Sequence, residues 1–246
     1  MDLIYLDRLF NAIKNSWKII LTPYYILMWS LNKDKHFLNK YYWKIYKAGA
    51  EPYDFLSIQK LRKRGINSVS DIKKKFYGMY KLIHKREKFK DYPQNTFGRL
   101  IYEHFKDVVN PEDLIKPIES DPKVSFRTYM FKENTEYVKA YFFYRTLLHD
   151  LLHPITGYGT TEEGEILLFA WQSSQLPTGG DIAILLAAPM FMENSKKGFI
   201  QIYSESWKNY KLGKKANLDA ILDANFSDLV HEDIDVLRKR FNIQTL

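Results

Sequence analysis

Apolar residues recur along this chain at three- and four-residue steps, the period of an α-helix with one buried face. The first stripe runs through Leu3, Leu6, Phe10, Ile13, Trp17 and Ile20, with Arg8, Lys14 and Lys18 lying off it. Pro23 ends or kinks that helix, because proline lacks the intrahelical donor and clashes with the turn before it. Further helical patterns occupy 35–48, 53–64 and 70–86. The last opens on a Ser68-x-x-Asp71 cap signal and carries Ile72, Phe76, Met79 and Ile83. Turn residues cluster in "FKDYPQNT", and a helix then starts near Thr96 with Phe97, Ile101, Phe105 and Val108 on one side. Residues 110–125, with three prolines, read as an irregular connection.

From Asn134 the run "NTEYVKAYFFYRTLLHDLLH" is helical, and Pro154 limits it. "ITGYGTTEEGEILLFAWQ" reads as a glycine-bearing loop followed by a helix with a Thr160-x-x-Glu163 capping box. "LPTGGDIAILLAAPMFM" begins with a break and is then apolar all round, the pattern of a helix that is fully buried or faces lipid. Two more helices are expected around 197–212 and 231–241. There is no strand series, internal repeat or low-complexity tract. The pattern predicts an all-α protein. A basic, aromatic-rich helical region over 1–90 precedes a single mainly helical domain over 91–246.

Charge sharpens that division. Residues 33–90 hold 17 Lys or Arg against 5 Asp or Glu, whereas 91–246 hold 17 against 22. The net +8 therefore belongs to the N-terminal region, which suits contact with something anionic or else a plain solvated lysine face. With 46% hydrophobic residues the chain can build a substantial core. It has no cysteine, so disulfides and thiolate metal ligands are excluded. The most apolar run, "WKIILTPYYILMWSL", carries Lys18 and Pro23 and is shorter than the roughly 20 apolar residues a spanning helix needs. Asp2 and Asp7 are unlike an acid-poor transit peptide. The expectation is a peripheral protein whose N-terminal stripe and basic region dock on an anionic membrane surface without crossing it. In a bacterium that is the cytoplasmic face; in a eukaryote it is the matrix side of the mitochondrial inner membrane.

Candidate chemistry concentrates in 144–171. On a helix, His149 and His153 share a face one turn apart, a separation that suits two nitrogens on one metal ion. Asp150 is turned by about 100° and can be a third ligand or hold a histidine. Glu165 lies beyond the loop, and an antiparallel helix pair would return it to the level of the histidines. Gly157 and Gly164 suit a helix C-terminal turn and a close helix approach. Imidazoles with one or two carboxylates bind Zn²⁺, Fe²⁺ or Mn²⁺, zinc being the first choice. On spacing alone, ordinary hydrogen-bonded surface or core histidines are the leading reading.

Those residues carry a resemblance. His149-Asp150-x-x-His153, Gly157 and Gly164-Glu165 resemble the HDxxH-x11-E signature of the Coq4 family of ubiquinone-biosynthesis proteins. "TFGR" at 96–99 is similar to that family's opening Gly-Arg, and "VLRKRFNI" at 236–243 to its closing Leu-Arg…Ile. The similarity covers roughly 93–243. It implies a divalent metal on His149, Asp150, His153 and Glu165. It also implies an enzyme that removes the C1 carboxyl of a polyprenylated 4-hydroxybenzoate-derived head group, coupled to oxidation at that carbon. Glu165 would then be catalytic as well as a ligand. Arg145, one turn before His149, is a candidate clamp for the departing carboxylate or else an ordinary surface arginine. Ile182–Met192 is a candidate tunnel for the prenyl tail or else plain core. Implied partners are the prenylated substrate or a prenyl lipid and other quinone-biosynthesis proteins; self-association is compatible.

Three other readings stand beside this one. A non-catalytic organiser would bind prenyl lipid and partner enzymes, with the metal holding the fold. An HD-type phosphohydrolase would use His149-Asp150 as its dyad and need an earlier histidine, His84 or His104, and a later aspartate on the same ion. Lysines among Tyr41, Tyr42, Trp43 and Tyr46 raise nucleic acid as an outside option, and the metal motif ranks it last.

Overall fold

The computed structural model describes residues 51–107, 135–186, 188 and 197–244. The stripe at 3–20, the pattern at 35–48 and the connection at 110–125 lie outside them. In chain order the helices are α1 (Glu51–Arg62), α2 (Val69–His84), α3 (Phe97–Phe105) and α4 (Thr135–Thr156). Then follow α5 (Glu162–Ser173), α6 (Gly179–Leu186), α7 (Phe199–Lys215), α8 (Leu218–Asp223) and α9 (Ile234–Arg240). The fold is all-α, as the periodicity predicts. Among the described residues the β-type contact is an isolated bridge between Thr96 and Asp233.

The described residues divide into two compact units, one of 64–107, 135–159 and 215–244 and one of 51–63, 160–186, 188 and 197–214. In the first, α2 lies along α4. The cap signal holds: Ser68 Oγ accepts from the Asp71 amide at 3.1 Å, and the Asp71 carboxylate accepts from the Ser68 amide at 2.9 Å. Those hydrogen bonds, above all the one from the Ser68 hydroxyl, keep the Asp71 carboxyl below its ordinary range. With its start fixed, α2 turns Ile72, Met79, Leu82 and Ile83 inward. From α4, Leu147, Leu148, Leu151, Leu152 and Ile155 are buried to within 1%. Burying such a side chain is worth roughly 1.5–3 kcal/mol, so this interface dominates the unit's stability. Tyr137 donates to the Ile66 carbonyl at 2.7 Å, tying the start of α4 to the loop before α2.

The opening piece of the motif set meets, within this unit, the stretch just before the closing piece. The Phe97 amide donates to Glu232 O at 2.9 Å, Gly98 to Val230 O at 2.8 Å, and the Ile234 amide to Asn95 O at 2.8 Å. Gly98 is glycine for a steric reason: a Cβ there would lie 2.8 Å from Val230 O and 2.9 Å from the Tyr92 ring. Thr96 accepts from the Arg99 amide at 3.3 Å and starts α3, which buries Phe97, Ile101 and Phe105.

In the second unit, Ser57 of α1 donates to Pro177 O at 2.6 Å and Lys60 to Gln175 O at 2.6 Å. Thr178 Oγ1 accepts from the Asp181 amide at 3.0 Å, and the Asp181 carboxylate accepts from the Thr178 amide at 3.1 Å, which marks the break before α6. Ile184 and Leu185 of α6 pack, partly buried, against Ile166, Ala188 and Ile202. That apolar run is therefore a half-covered helix rather than a fully enclosed one, and its end beyond Ala188 lies outside the described residues. Among the described residues no helix is long and apolar enough to cross a membrane.

Candidate metal centre

The expected ligands lie on the last two turns of α4 and, in the other unit, on the first turn of α5. Proline was expected to stop α4 at His153, yet the helix runs on to Thr156 with Pro154 inside its last turn. Pro154 removes one amide donor, and at a helix end the freed carbonyls have other partners. Thr156 Oγ1 donates to Leu152 O at 2.7 Å. The Gly157 amide donates to His153 O at 2.8 Å, with Gly157 at φ 80°. That is the left-handed C-terminal cap, which costs an L-residue roughly 1–2 kcal/mol. Arg238 Nε, from the closing motif, donates to Ile155 O at 2.9 Å. Three independent devices fix the turn that carries His153.

His153 and His149 are 2% and 7% exposed, with ring centroids 5.0 Å apart and planes at 89°. His153 Nδ1 lies 3.0 Å from the Tyr158 carbonyl oxygen. A carbonyl only accepts, so Nδ1 carries the proton and Nε2 keeps the lone pair. This is the usual way a protein orients a metal-binding imidazole. The Tyr158 phenol itself is pushed up to about 12 by burial, which keeps it protonated at neutral pH.

The capping of α5 departs from expectation by one residue. Thr161, not Thr160, is the cap: its Oγ1 accepts from the Gly164 amide at 3.2 Å, and its own carbonyl accepts from the Glu165 amide at 2.9 Å. Glu163 is not the reciprocal partner of a capping box but pairs with Lys197, which also holds Glu205 at 2.6 Å. The one-residue shift makes Glu165 the fourth residue of the helix, and three acids in that first turn complement the helix dipole.

His149 and His153 stand one turn apart on α4, and Glu165 is carried by α5 in the other unit. Asp150 is the fourth expected ligand. It follows His149 directly and is turned by about 100° around the helix. Two buried imidazoles on one helix face, joined by a carboxylate, would be a donor set that suits Zn²⁺, Fe²⁺ or Mn²⁺. Arg145 is not on the surface: it is 5% exposed, one turn before His149 on the same helix.

Sequence reasoning placed two further groups less well. His104 was considered only as a phosphohydrolase ligand. Its ring stacks on His153 at 5.1 Å and 24°, and on Phe105 edge-on at 4.6 Å. A stacked imidazole shows its neighbour a face, not a lone pair. His84 is exposed and stacks on Tyr80 at 6.1 Å. The role of Arg238 was readable only as part of "VLRKRFNI", without the helix end it serves.

Comparison with known proteins bears on these residues directly. The model of the family described as "Coenzyme Q (ubiquinone) biosynthesis protein Coq4" matches residues 79–246. The mitochondrial ubiquinone biosynthesis protein COQ4 of Komagataella phaffii is 24% identical over 163 residues, covering 64% of this chain and 47% of that protein. The chain thus spans about half the length of that curated relative. The crystal structure of a candidate ubiquinone biosynthesis protein from Nostoc punctiforme covers 93% of this chain and 98% of its own, with a TM-score of 0.50 and 16% identity. At that identity the likeness concerns the fold alone. The match over 79–246 takes in every residue of the candidate centre, and the chain belongs to the Coq4 family of coenzyme Q biosynthesis proteins.

Proposed function

We propose that this chain is a metal-dependent decarboxylase that acts on a polyprenylated 4-hydroxybenzoate-derived intermediate at a membrane surface. The observation that carries the reading is the pair of buried imidazoles on α4, His149 and His153, with ring centroids 5.0 Å apart and His153 Nδ1 held 3.0 Å from Tyr158 O. The Coq4 family match and the Komagataella relative support its place in ubiquinone biosynthesis.

His149, His153 and Glu165 would hold the divalent ion. Bound there, it supplies Lewis acidity that polarises substrate oxygens and offsets charge gained by the ring as carbon dioxide leaves. The remaining work belongs to the chain itself. His153 is held in one tautomer by Tyr158 O, so its Nε2 needs no reorientation on binding. Arg145, buried on the helix face that carries His149, presents a planar guanidinium suited to a carboxylate. It would fix the C1 carboxyl so that the breaking bond stands out of the ring plane. That bond's electron pair stays on C1, where a proton takes it up as carbon dioxide leaves. The burial of both histidines excludes bulk water from that side.

The test is complementation of a strain lacking the endogenous protein, with quinone intermediates measured by mass spectrometry. A Glu165→Gln variant keeps the shape and removes the anion. It should accumulate the precursor that still carries its C1 carboxyl. Normal quinone synthesis would refute an essential Glu165. Loss of every late intermediate, with no carboxylated precursor, would favour the organiser reading.

A further inference from the structure

Helix α7, "FIQIYSESWKNYKLGKK", has two unlike sides. Ile202, Ser206 and Asn209 are 4%, 7% and 0% exposed and define the side turned into its unit. Helical spacing puts Ile200, Trp207, Lys211 and Lys214 on the opposite side, within about 60° of one another. Ile200 is 84% exposed and Trp207 57%. Isolated surface apolar residues need no account. These two do, because they lie two turns apart on one line and basic residues continue it.

The aromatic and basic groups are organised together. Trp207 and Tyr210 stack at 5.3 Å with planes 6° apart. Lys211 Nζ lies 5.3 Å from the centre of the Trp207 ring, and Lys214 Nζ 5.0 Å from that of Tyr210. Lys208, also exposed, flanks them. Lys211 and Lys214 thus each sit over a ring. The helix's own acid, Glu205, pairs at 2.6 Å with Lys197, which it shares with Glu163.

We infer that this face of α7 docks the protein on an anionic lipid bilayer. Ile200 and Trp207 enter the headgroup boundary, and Lys208, Lys211 and Lys214 reach lipid phosphates. Interfacial helices combine apolar burial with lysine attraction in this way. Tryptophan and tyrosine favour the headgroup level, and lysine stems lie along apolar surface while the charge stays in water. The charge complement argues against a protein partner, since lysine is depleted in protein interfaces. An isoleucine offered to solvent has no use on a nucleic-acid surface. The assignment rests on the membrane-surface part of the proposed function and names the element that makes the contact.

Flotation of the purified full chain with phosphatidylcholine vesicles, with and without phosphatidylglycerol, tests it. The parent should float with the anionic vesicles and lose binding as salt rises. The triple change Lys208→Glu, Lys211→Glu, Lys214→Glu should weaken that binding about a hundredfold or more, each lysine being worth about a factor of five. Ile200→Ser with Trp207→Ser should weaken it about tenfold or more, including in high salt. Circular dichroism and metal content should match the parent in both variants, which separates docking from folding and from the metal centre. Parental flotation of both variants would overturn the α7 assignment while leaving a membrane-bound protein. A parent that floats with neither vesicle would overturn the assignment together with the membrane-surface reading, whatever its metal content. Self-association lost in the variants, without parental flotation, would assign the face to a second copy instead.

Discussion

Arg238 offers a sharp test of how the metal-bearing turn is held. Its Nε donates to the Ile155 carbonyl at 2.9 Å, at the end of α4, two residues beyond His153. Replacing it with methionine keeps the stem's volume and removes the donor and charge. A hydrogen bond from a charged group is worth about 1.5–3 kcal/mol, and a cation at a helix C-terminus about 0.3–1 kcal/mol. The two contributions overlap, and the side chain is 24% exposed. The expected loss is therefore about 2 kcal/mol, or roughly 4–8 °C in Tm for a chain of this size. Arg238 also pairs with Asp235 at 3.1 Å, but that carboxylate is 75% exposed and adds little. Asp235→Ala is the control and should stay within about 0.5 kcal/mol of the parent. The assay is urea denaturation of metal-free protein, with a midpoint shift and an unchanged slope. Metal affinity should fall about tenfold in Arg238→Met, as when groups that orient a metal ligand are lost elsewhere. A variant within 0.5 kcal/mol of the parent, by the same criterion as its control, would refute the view that Arg238 caps α4.

Three further outcomes follow from individual contacts. Thr161→Ala should cost about 1 kcal/mol and Thr161→Ser much less; equal losses in thermal unfolding would place the cap elsewhere. Gly98→Ala should cost about 1–3 kcal/mol by forcing Val230 O or Tyr92 aside, and a parental urea midpoint would show that the close approach at α3 is not tight. Gly157→Ala should cost about 1–2 kcal/mol through its positive φ, a penalty that should fall to about half for Gly157→Asn, since asparagine tolerates that region; an unchanged unfolding transition for both would contradict the left-handed cap.

Long periodic segments were legible in the sequence because buried positions repeat often enough to exclude a strand. The α2 cap at Ser68 and Asp71, the start of α3 at Thr96 and the glycine end of α4 all follow from residue chemistry. The end of α4 was misread because Pro154 was weighed as a breaker, although near a helix end the lost donor matters little. Thr160 and Thr161 are chemically equivalent, so spacing to Glu163 suggested the wrong one. Leu218–Asp223 and the 3-10 turns Arg86–Phe89 and Phe226–Asp228 went unpredicted, since elements of six residues or fewer show too little of a period. Within the candidate centre, the shared face of His149 and His153 on α4 follows from their spacing. The burial of Arg145 and the stacking of His104 on His153 depend on tertiary packing that no local pattern encodes.

The central claim is that His149, His153 and Glu165 form one metal site. Its most direct test is elemental analysis of protein purified without added metal and dialysed, comparing the parent with His149→Ala, His153→Ala and Glu165→Gln. The parent should retain one divalent ion per chain, and each histidine variant should lose most of it while keeping its helical circular dichroism. Glu165→Gln should bind more weakly, and an Asp150→Asn variant should keep more metal than any of these three. Unchanged metal in both histidine variants, or a parent that binds none of zinc, iron or manganese on titration, would contradict the claim.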